Sequence, residues 1–276
     1  MSKLTRKLMV EPDQKVRLAK IAPDSTYGVK NKAEAEERLQ KNIARLAKLQ
    51  YLLYAEKKRA VLIVFQAMDA GGKDGTIRNV MSGLNPQGCR VTSFKVPAGE
   101  EREHDFLWRI HKATPAFGEI GIFNRSHYED VLVVRVQNLV PKSVWSGRYK
   151  HINAFEQLLD ECGVKVLKFF LHISREEQQE RLQERLRDRE KHWKVTAADF
   201  EDRKRWDDYM AAYEYVFERC STPWAPWHII PANKKWYRNL AVSQVLCEAL
   251  EDMDLQLPKP AAEVETLVAV LPPEEK

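Results

Sequence analysis

No stretch of this chain approaches the roughly 18 to 20 uncharged apolar residues needed to cross a bilayer. The N-terminus, MSKLTRKLMVEPDQK, returns to charge before any long apolar run forms. No membrane contact is expected, and the chain reads as cytoplasmic. Cysteine is sparse: Cys89, Cys162, Cys220 and Cys247 lie far apart with no metal-type spacing, which argues against a zinc site and against a disulfide framework. There is no internal repeat and no low-complexity linker, so one domain is the expected count for 276 residues. Only the ends read as loose: residues 1 to about 32 are polar with weak periodicity and look like a peripheral extension, and PPEEK at the C-terminus should fray. A large charge excess is missing too. The net charge of +5 rests on 45 basic and 40 acidic residues, which leaves room for strong local fields under a small total.

What is present is an alternation of helix and strand. Over residues 33–56, Leu39, Ile43, Leu46, Leu49 and Leu53 recur at steps of three and four, the apolar face of a long helix. AVLIVF (60–65) follows, a continuous β-branched run of the kind found in a strand buried on both faces of a parallel sheet. Similar runs recur at RVTSF (90–94), EIGIF (119–123), VKVLKFFLHI (164–173) and WHIIP (227–231), with helical segments between them. Five such alternations predict an α/β fold with a doubly wound, five-stranded parallel sheet, whose ligands bind beyond the carboxyl ends of the strands. Chemistry is therefore expected just after Phe65, Phe123 and Ile173.

The first of those places reads FQAMDAGGKDGTIRNV (65–80). Glycines let a backbone turn tightly enough for several N–H groups to converge on one phosphate, and the helix that follows adds its positive end. The strict phosphate-loop formula would need glycine at 67 and a hydroxyl at 74, where this chain has Ala67 and Asp74. Gly72 and Lys73 match, supplemented by Gly71, Gly75 and Thr76. An ordinary glycine-bearing turn is the bland alternative, but it has no need of carboxylates flanking the lysine. Asp69 and Asp74 beside phosphate oxygens would be repulsive unless a cation lay between, which points to Mg²⁺. At the end of the third strand, IFNRSHYEDVLVVRV (122–136) puts Asn124 where such enzymes place a metal-binding aspartate, with Arg125 aimed at the same crevice.

Taken together, AMDAGGKDGTI, FNRSHYEDVLVVRV, LKFFLHIS with its Gln- and Arg-rich helix, and PANKKWYRN resemble the family-2 polyphosphate kinases over about residues 40–250. The resemblance implies a phosphate-loop kinase fold, thymidylate-kinase-like, with a helical lid over about residues 174–215. It implies Mg²⁺-dependent, or Mn²⁺-dependent, phosphoryl transfer between inorganic polyphosphate and nucleotides. Many members read Asp-Arg-Ser-Trp-Tyr-Asn where this chain has Asn124 to Glu129; the Asn and Glu version resembles the subgroup that accepts nucleoside mono- and diphosphates, ADP and AMP and also GDP and GMP. A homo-oligomer, dimer or tetramer, is implied as well, and no nucleic-acid partner. By the same resemblance Asp69, Lys73, Arg125 and Arg185 are the expected catalytic residues, and Asp69 and Asp74 the metal ligands. Gly71, Gly72, Asp74, Gly75, Thr76, Arg78, Asn124, Glu129, Arg135 and Arg181 are expected to bind substrate or cofactor.

Within SREEQQERLQERLRDREKHWK (174–194), Ser174 and Glu177 have the spacing of a capping box. Arg181, Arg185 and Arg189 follow at i, i+4 steps as one positive stripe, which either faces an anion or is neutralised by Glu177, Glu184 and Asp188. His127, Tyr128 and the run from Val131 read as structural, and Trp193, Trp206, Trp224, Trp227 and Trp236 as core and lid-hinge packing rather than base stacking. Lys234, Lys235 and Arg238 form a second basic patch within reach of a polyphosphate tail. The rival readings are an ATP-dependent nucleoside monophosphate or small-molecule kinase of the same fold, and a polyanion- or RNA-binding protein without catalysis.

Overall fold

The apolar run after the first long helix lies at the centre of the sheet. In the computed structural model, which describes residues 1–261 and 264, five parallel strands stand in the order β2-β3-β1-β4-β5. They are β1 (Ala60–Gln66), β2 (Cys89–Ser93), β3 (Ile120–Asn124), β4 (Val164–His172) and β5 (Trp227–Pro231). Every residue of β1 is buried, as a strand covered on both faces requires. It pairs with β3 on one side, Phe65 opposite Asn124, and with β4 on the other, Phe65 opposite Phe169. The loop after β1 therefore opens at the middle of the sheet, next to the end of β3.

The helices are α1 (Lys3–Leu8), α2 (Lys32–Glu56), α3 (Lys73–Val80), α4 (Trp108–Lys112), α5 (Val133–Val136), α6 (Lys142–Glu161), α7 (Arg175–Arg187), α8 (Ala197–Lys204), α9 (Trp206–Cys220) and α10 (Lys235–Glu251). α10 packs on both α2 and α3, and α5, α6 and α9 pack on one another, the two helical layers of a doubly wound fold. Asn31 caps α2 by accepting the Glu34 N–H at 2.9 Å. Its inward face carries Leu39, Ile43, Leu46 and Leu53, as the periodicity predicts.

Two expectations need correction. The N-terminal segment is not loose. Leu8, Val10, Val16, Leu18 and Val29 are buried in the core, the Val10 N–H donates to the Trp227 carbonyl at 2.9 Å, and Met9 bridges His228. These contacts cover the outer edge of β5, whose backbone groups would otherwise lie unpaired. The apolar residues doing this are singly spaced, so no period marks them. The second correction concerns the lid. Residues 174–194 do not form one helix: α7 stops at Arg187, and Asp188, in extended backbone, accepts the Glu190 N–H at 3.1 Å and caps a separate 3₁₀ turn over Arg189–Lys194. Arg189 is thereby taken off the stripe. The PPEEK end lies outside the described residues.

Candidate functional site

The loop between β1 and α3 is shaped by two left-handed residues, Ala70 (φ +60°) and Gly72 (φ +98°), the second being the N-cap of α3. Glycine at 72 is required twice over, by its φ and because an added Cβ would stand 2.1 Å from Nη1 of Arg238. Lys73 is buried and folds back to donate to the Ala67 carbonyl at 3.2 Å. Burial, and then the charge of Arg125, push its ammonium down from the ordinary lysine value, while Asp69, Glu129 and Asp74 oppose them. Thr76 is fully buried and its hydroxyl donates to the Gly72 carbonyl at 3.0 Å inside the helix turn.

Across the crevice, two successive residues at the end of β3 each hold one loop carboxylate. The Asn124 amide donates to Asp74 Oδ1 at 2.7 Å, and Arg125 Nη2 donates to Asp69 Oδ1 at 2.7 Å. Arg125 has φ +64°, a sparsely populated conformation for a non-glycine residue, and its N–H is held by the Phe65 carbonyl of β1. Its charge is reinforced first by Glu129 and also by Asp69, against the effect of burial. Glu129 is pushed up by burial while Arg125 and Lys73 pull it down. Asp69, Lys73, Asp74, Asn124, Arg125 and Glu129 thus form one alternating-charge cluster.

The turn carrying Glu129 stands on a buried polar base. Lys168 Nζ is 2.5 Å from Glu156 Oε2 and donates to the Tyr128 hydroxyl at 2.8 Å, while Glu156 Oε1 is 3.2 Å from His127 Nε2. His127 and Tyr128 are fully buried, which agrees with their structural reading. Lys168 and Glu156 carried no signal in the sequence, since nothing local marks a pairing that joins α6 to β4.

The lid meets the loop from above. Ser174 caps α7 by accepting the Glu177 N–H at 3.1 Å, but the return half of the expected box is absent: the Ser174 N–H goes to Asn233 Oδ1, and Glu177 accepts instead from Arg181 Nε at 2.7 Å. Arg181 is buried and spends its remaining donors on the carbonyls of Ala70, Gly71, Ala232 and Asn233. In this arrangement Arg181, expected to bind substrate or cofactor, clamps α7 to the outside of the loop. Gln178, which the sequence did not single out, donates to the Asp69 carbonyl at 3.0 Å. Arg185 remains partly exposed, donates to the Lys194 carbonyl at 3.4 Å and has no carboxylate within ion-pair distance among the described residues. Lys194 itself lies 3.9 Å from Asp74.

The other expected residues lie apart. Arg78 is exposed on the far turn of α3 with no side-chain partner among the described residues. Arg135 stacks over Trp145 and Tyr215, about 5 Å from each ring centroid, and belongs to an aromatic clamp rather than to the crevice. The basic patch of the last helix is divided: Lys234 and Lys235 are exposed, Lys235 lying 3.8 Å from Glu184, whereas Arg238 is buried against the loop. Trp206 and Trp227 are buried, as expected, but Trp193 is 77% exposed on the lid.

Between loop and lid the crevice is closed to about 20 Å³, lined by Asp69, Arg125, Glu129, Asp202, Tyr209 and Tyr213 among others. That is room for about one water. A wider depression of about 390 Å³ lies beside Trp108, between β2 and β3, and includes none of these residues.

A glycine cradle at the head of a helix on the central strand of a 2-3-1-4-5 parallel sheet, with an arginine-bearing helix over it, defines a phosphate-loop phosphotransferase of the kinase kind. Residues 29–258 match the family model described as Polyphosphate kinase 2. Among similar proteins, the AMP/ADP-polyphosphate phosphotransferase of Meiothermus ruber is 54% identical over 264 residues, 95% of this chain and 99% of its own. The ADP-polyphosphate phosphotransferase of Rhodopseudomonas palustris is 45% identical over 92% of each chain. The crystal structure of Polyphosphate Kinase 2 from Arthrobacter aurescens superposes with a TM-score of 0.91 at 43% identity and 97% coverage of both chains. The chain belongs to the polyphosphate kinase 2 family.

Proposed function

We propose that this protein transfers the end phosphoryl group of inorganic polyphosphate to ADP or AMP, giving ATP or ADP, and that the reaction is reversible. The observation that supports this most directly is the cluster itself: Lys73 and Arg125 stand in a phosphate cradle that keeps three carboxylates, Asp69, Asp74 and Glu129, beside them. Acidic groups next to phosphate oxygens call for a cation. No set of three or more His, Cys, Asp or Glu side chains converges as a cage among the described residues. Asp69 Oδ2 accepts no hydrogen bond from them, and Asp74 is 67% exposed. Such a donor set suits Mg²⁺, which takes one or two carboxylates and completes its octahedron with substrate oxygens and water; Mn²⁺ would fit the same donors. Bound by Asp69 with Asp74 beside it, the ion would neutralise charge between donor and acceptor phosphates.

The protein's own groups do the positioning. The loop N–H groups and the head of α3 bind the donor chain, Lys73 leaves the Ala67 carbonyl to meet it, and Arg125 and Arg185 stabilise charge on the equatorial oxygens of the transferring group. A terminal nucleotide phosphate, with a second pKa near ~6, is largely dianionic at neutral pH, so no strong base is needed. Its oxygen forms a bond to the end phosphorus as the P–O–P link behind it breaks, and the shortened chain leaves with that electron pair. Acceptance of both mono- and diphosphates, guanine nucleotides included, is proposed from Asn124 and Glu129 and from the likeness to a relative named for AMP and ADP. A homo-oligomer, dimer or tetramer, is part of the same reading.

The deciding assay supplies the purified protein with Mg²⁺, long-chain polyphosphate, AMP and ADP, and no ATP. Formation of ADP and ATP is expected. Activity with ATP as donor and none with polyphosphate would establish the small-molecule kinase instead.

A further inference from the structure

Arg238 presents a contradiction that the cluster above does not resolve. It sits in the first turn of α10 with 3% of its surface exposed, yet no carboxylate pairs with it among the described residues. Asn239 Oδ1 accepts from its Nε at 3.1 Å and from its Nη2 at 2.8 Å, which fixes the plane of the guanidinium. The remaining nitrogen, Nη1, donates to no acceptor among the described residues and stands against Gly72, where an added Cβ would meet it at 2.1 Å and would meet Arg181 Nη1 at 3.3 Å. Nη2 flanks Gly75, one turn into α3. A second cation is therefore close by, and its donors are already spent on carbonyls. Burial, and then Arg181, push the Arg238 guanidinium down to about 9, so it remains charged at neutral pH.

Burying a cation without a partner is costly, and placing a second beside it adds to the cost. A fold that keeps such a group oriented by Asn239, at the head of the helix whose N–H groups receive phosphate, has arranged it for an anion that arrives with the substrate. We propose that Arg238 is a phosphate-chain ligand: through Nη1 it takes an oxyanion of the phosphoryl chain seated at the head of α3, flanking the loop at Gly72. This rests on the phosphoryl-transfer reading above and adds a residue to it. The chain concerned is either inorganic polyphosphate or the phosphates of the nucleotide, which offer the same oxyanions.

The test is thermal unfolding with Mg²⁺ present and one substrate at a time, so that no donor meets an acceptor and turnover plays no part. Wild type, Arg238→Gln and Arg238→Lys are each titrated with tripolyphosphate alone and with ADP alone. For wild type, a rise in Tm with tripolyphosphate is expected; its absence would count against the phosphate-chain reading of the site as a whole. Arg238→Gln should unfold no earlier than wild type when unliganded, since an unpaired buried charge is gone. Its half-saturating ligand concentration should rise about tenfold or more, the range for one lost hydrogen bond to a charged partner, while Arg238→Lys keeps part of the affinity. Loss confined to tripolyphosphate assigns the contact to the inorganic chain, and loss confined to ADP assigns it to the nucleotide. Unchanged affinity for both ligands in Arg238→Gln overturns the proposal and leaves the proposed reaction intact. A marked fall in unliganded Tm with equal loss in both variants also overturns it, because Arg238 would then be a structural support.

Discussion

Asp69 illustrates how one side chain serves two opposed neighbours. Its Oδ1 is bound by Arg125 at 2.7 Å, and its charge opposes the downward push that burial puts on the Lys73 ammonium. Asp69→Asn preserves size and a hydrogen-bond acceptor but removes the charge, leaving two cations facing each other across a phosphate site. Binding of an anion should be retained or tightened, because repulsion between carboxylate and phosphate is relieved. Turnover should fall by about 10² or more, as the group proposed to align metal and phosphate is lost. Steady-state kinetics with ADP and polyphosphate, set beside binding of each substrate alone, separate the two effects. Tighter binding with unchanged kcat would identify Asp69 as a spectator.

The element that decides access is α7 with its 3₁₀ extension. Arg181 and Gln178 fasten its first turns to the backbone of the loop, so they move with the loop or not at all. Past Leu182 the helix is less constrained: Arg185 holds only the Lys194 carbonyl, at 3.4 Å, and has no ion-pair partner among the described residues. A long charged side chain left without a partner at the mouth of a phosphate site is free to turn inward when the lid settles. Arg185→Ala should therefore lower kcat by about 10²-fold or more while changing nucleotide affinity less than threefold; an unchanged kcat in stopped assays would exclude it from the reaction.

What could be read in advance divides along the same physical lines. β1 was legible because a strand buried on both faces is apolar throughout, and β4 and β5 because their runs are apolar apart from Lys165, Lys168, His172 and His228; the predicted runs agree with the observed strands to within a residue or so. The loop was legible because left-handed turns demand glycine locally. The clamp role of Arg181 was not, since a stripe of arginines at i, i+4 gives no information about carbonyls supplied by Ala70 and Ala232, more than 50 residues away in either direction. Arg238 was read with Lys234 and Lys235 as a patch within reach of a polyphosphate tail, but its burial, which comes from the packing of α10 against α3, was not legible. The break at Asp188 was available in principle, because an aspartate followed two residues later by a free N–H is an N-cap pattern.

For the molecule as a whole, acid should act through histidines buried as neutral bases. His228 lies inside β5, its Nδ1 donating to the Lys168 carbonyl at 3.3 Å, and burial pushes it down to about 4. His127 and His172 are pushed down by burial as well, Glu156 opposing this at the first and backbone carbonyls, Ile21 among them, at the second. A histidine that holds its proton more weakly when folded stabilises the fold above its unfolded value of ~6.5. That stability drains away as pH falls towards the folded value, because the unfolded chain takes up the proton first. Asp130, raised to about 6 by burial, works in the opposite sense, gaining stability as pH falls through that value. The two contributions overlap, so the wild-type curve alone does not separate them. His228→Gln does: the amide can still donate to the Lys168 carbonyl but cannot titrate. Between pH 7 and pH 5 the native His228 should cost about 2 kcal/mol of unfolding free energy. The variant should lose about that much less than wild type over the same interval in urea denaturation. Parallel losses in the two proteins would show that His228 takes up its proton within the fold about as readily as in the unfolded chain.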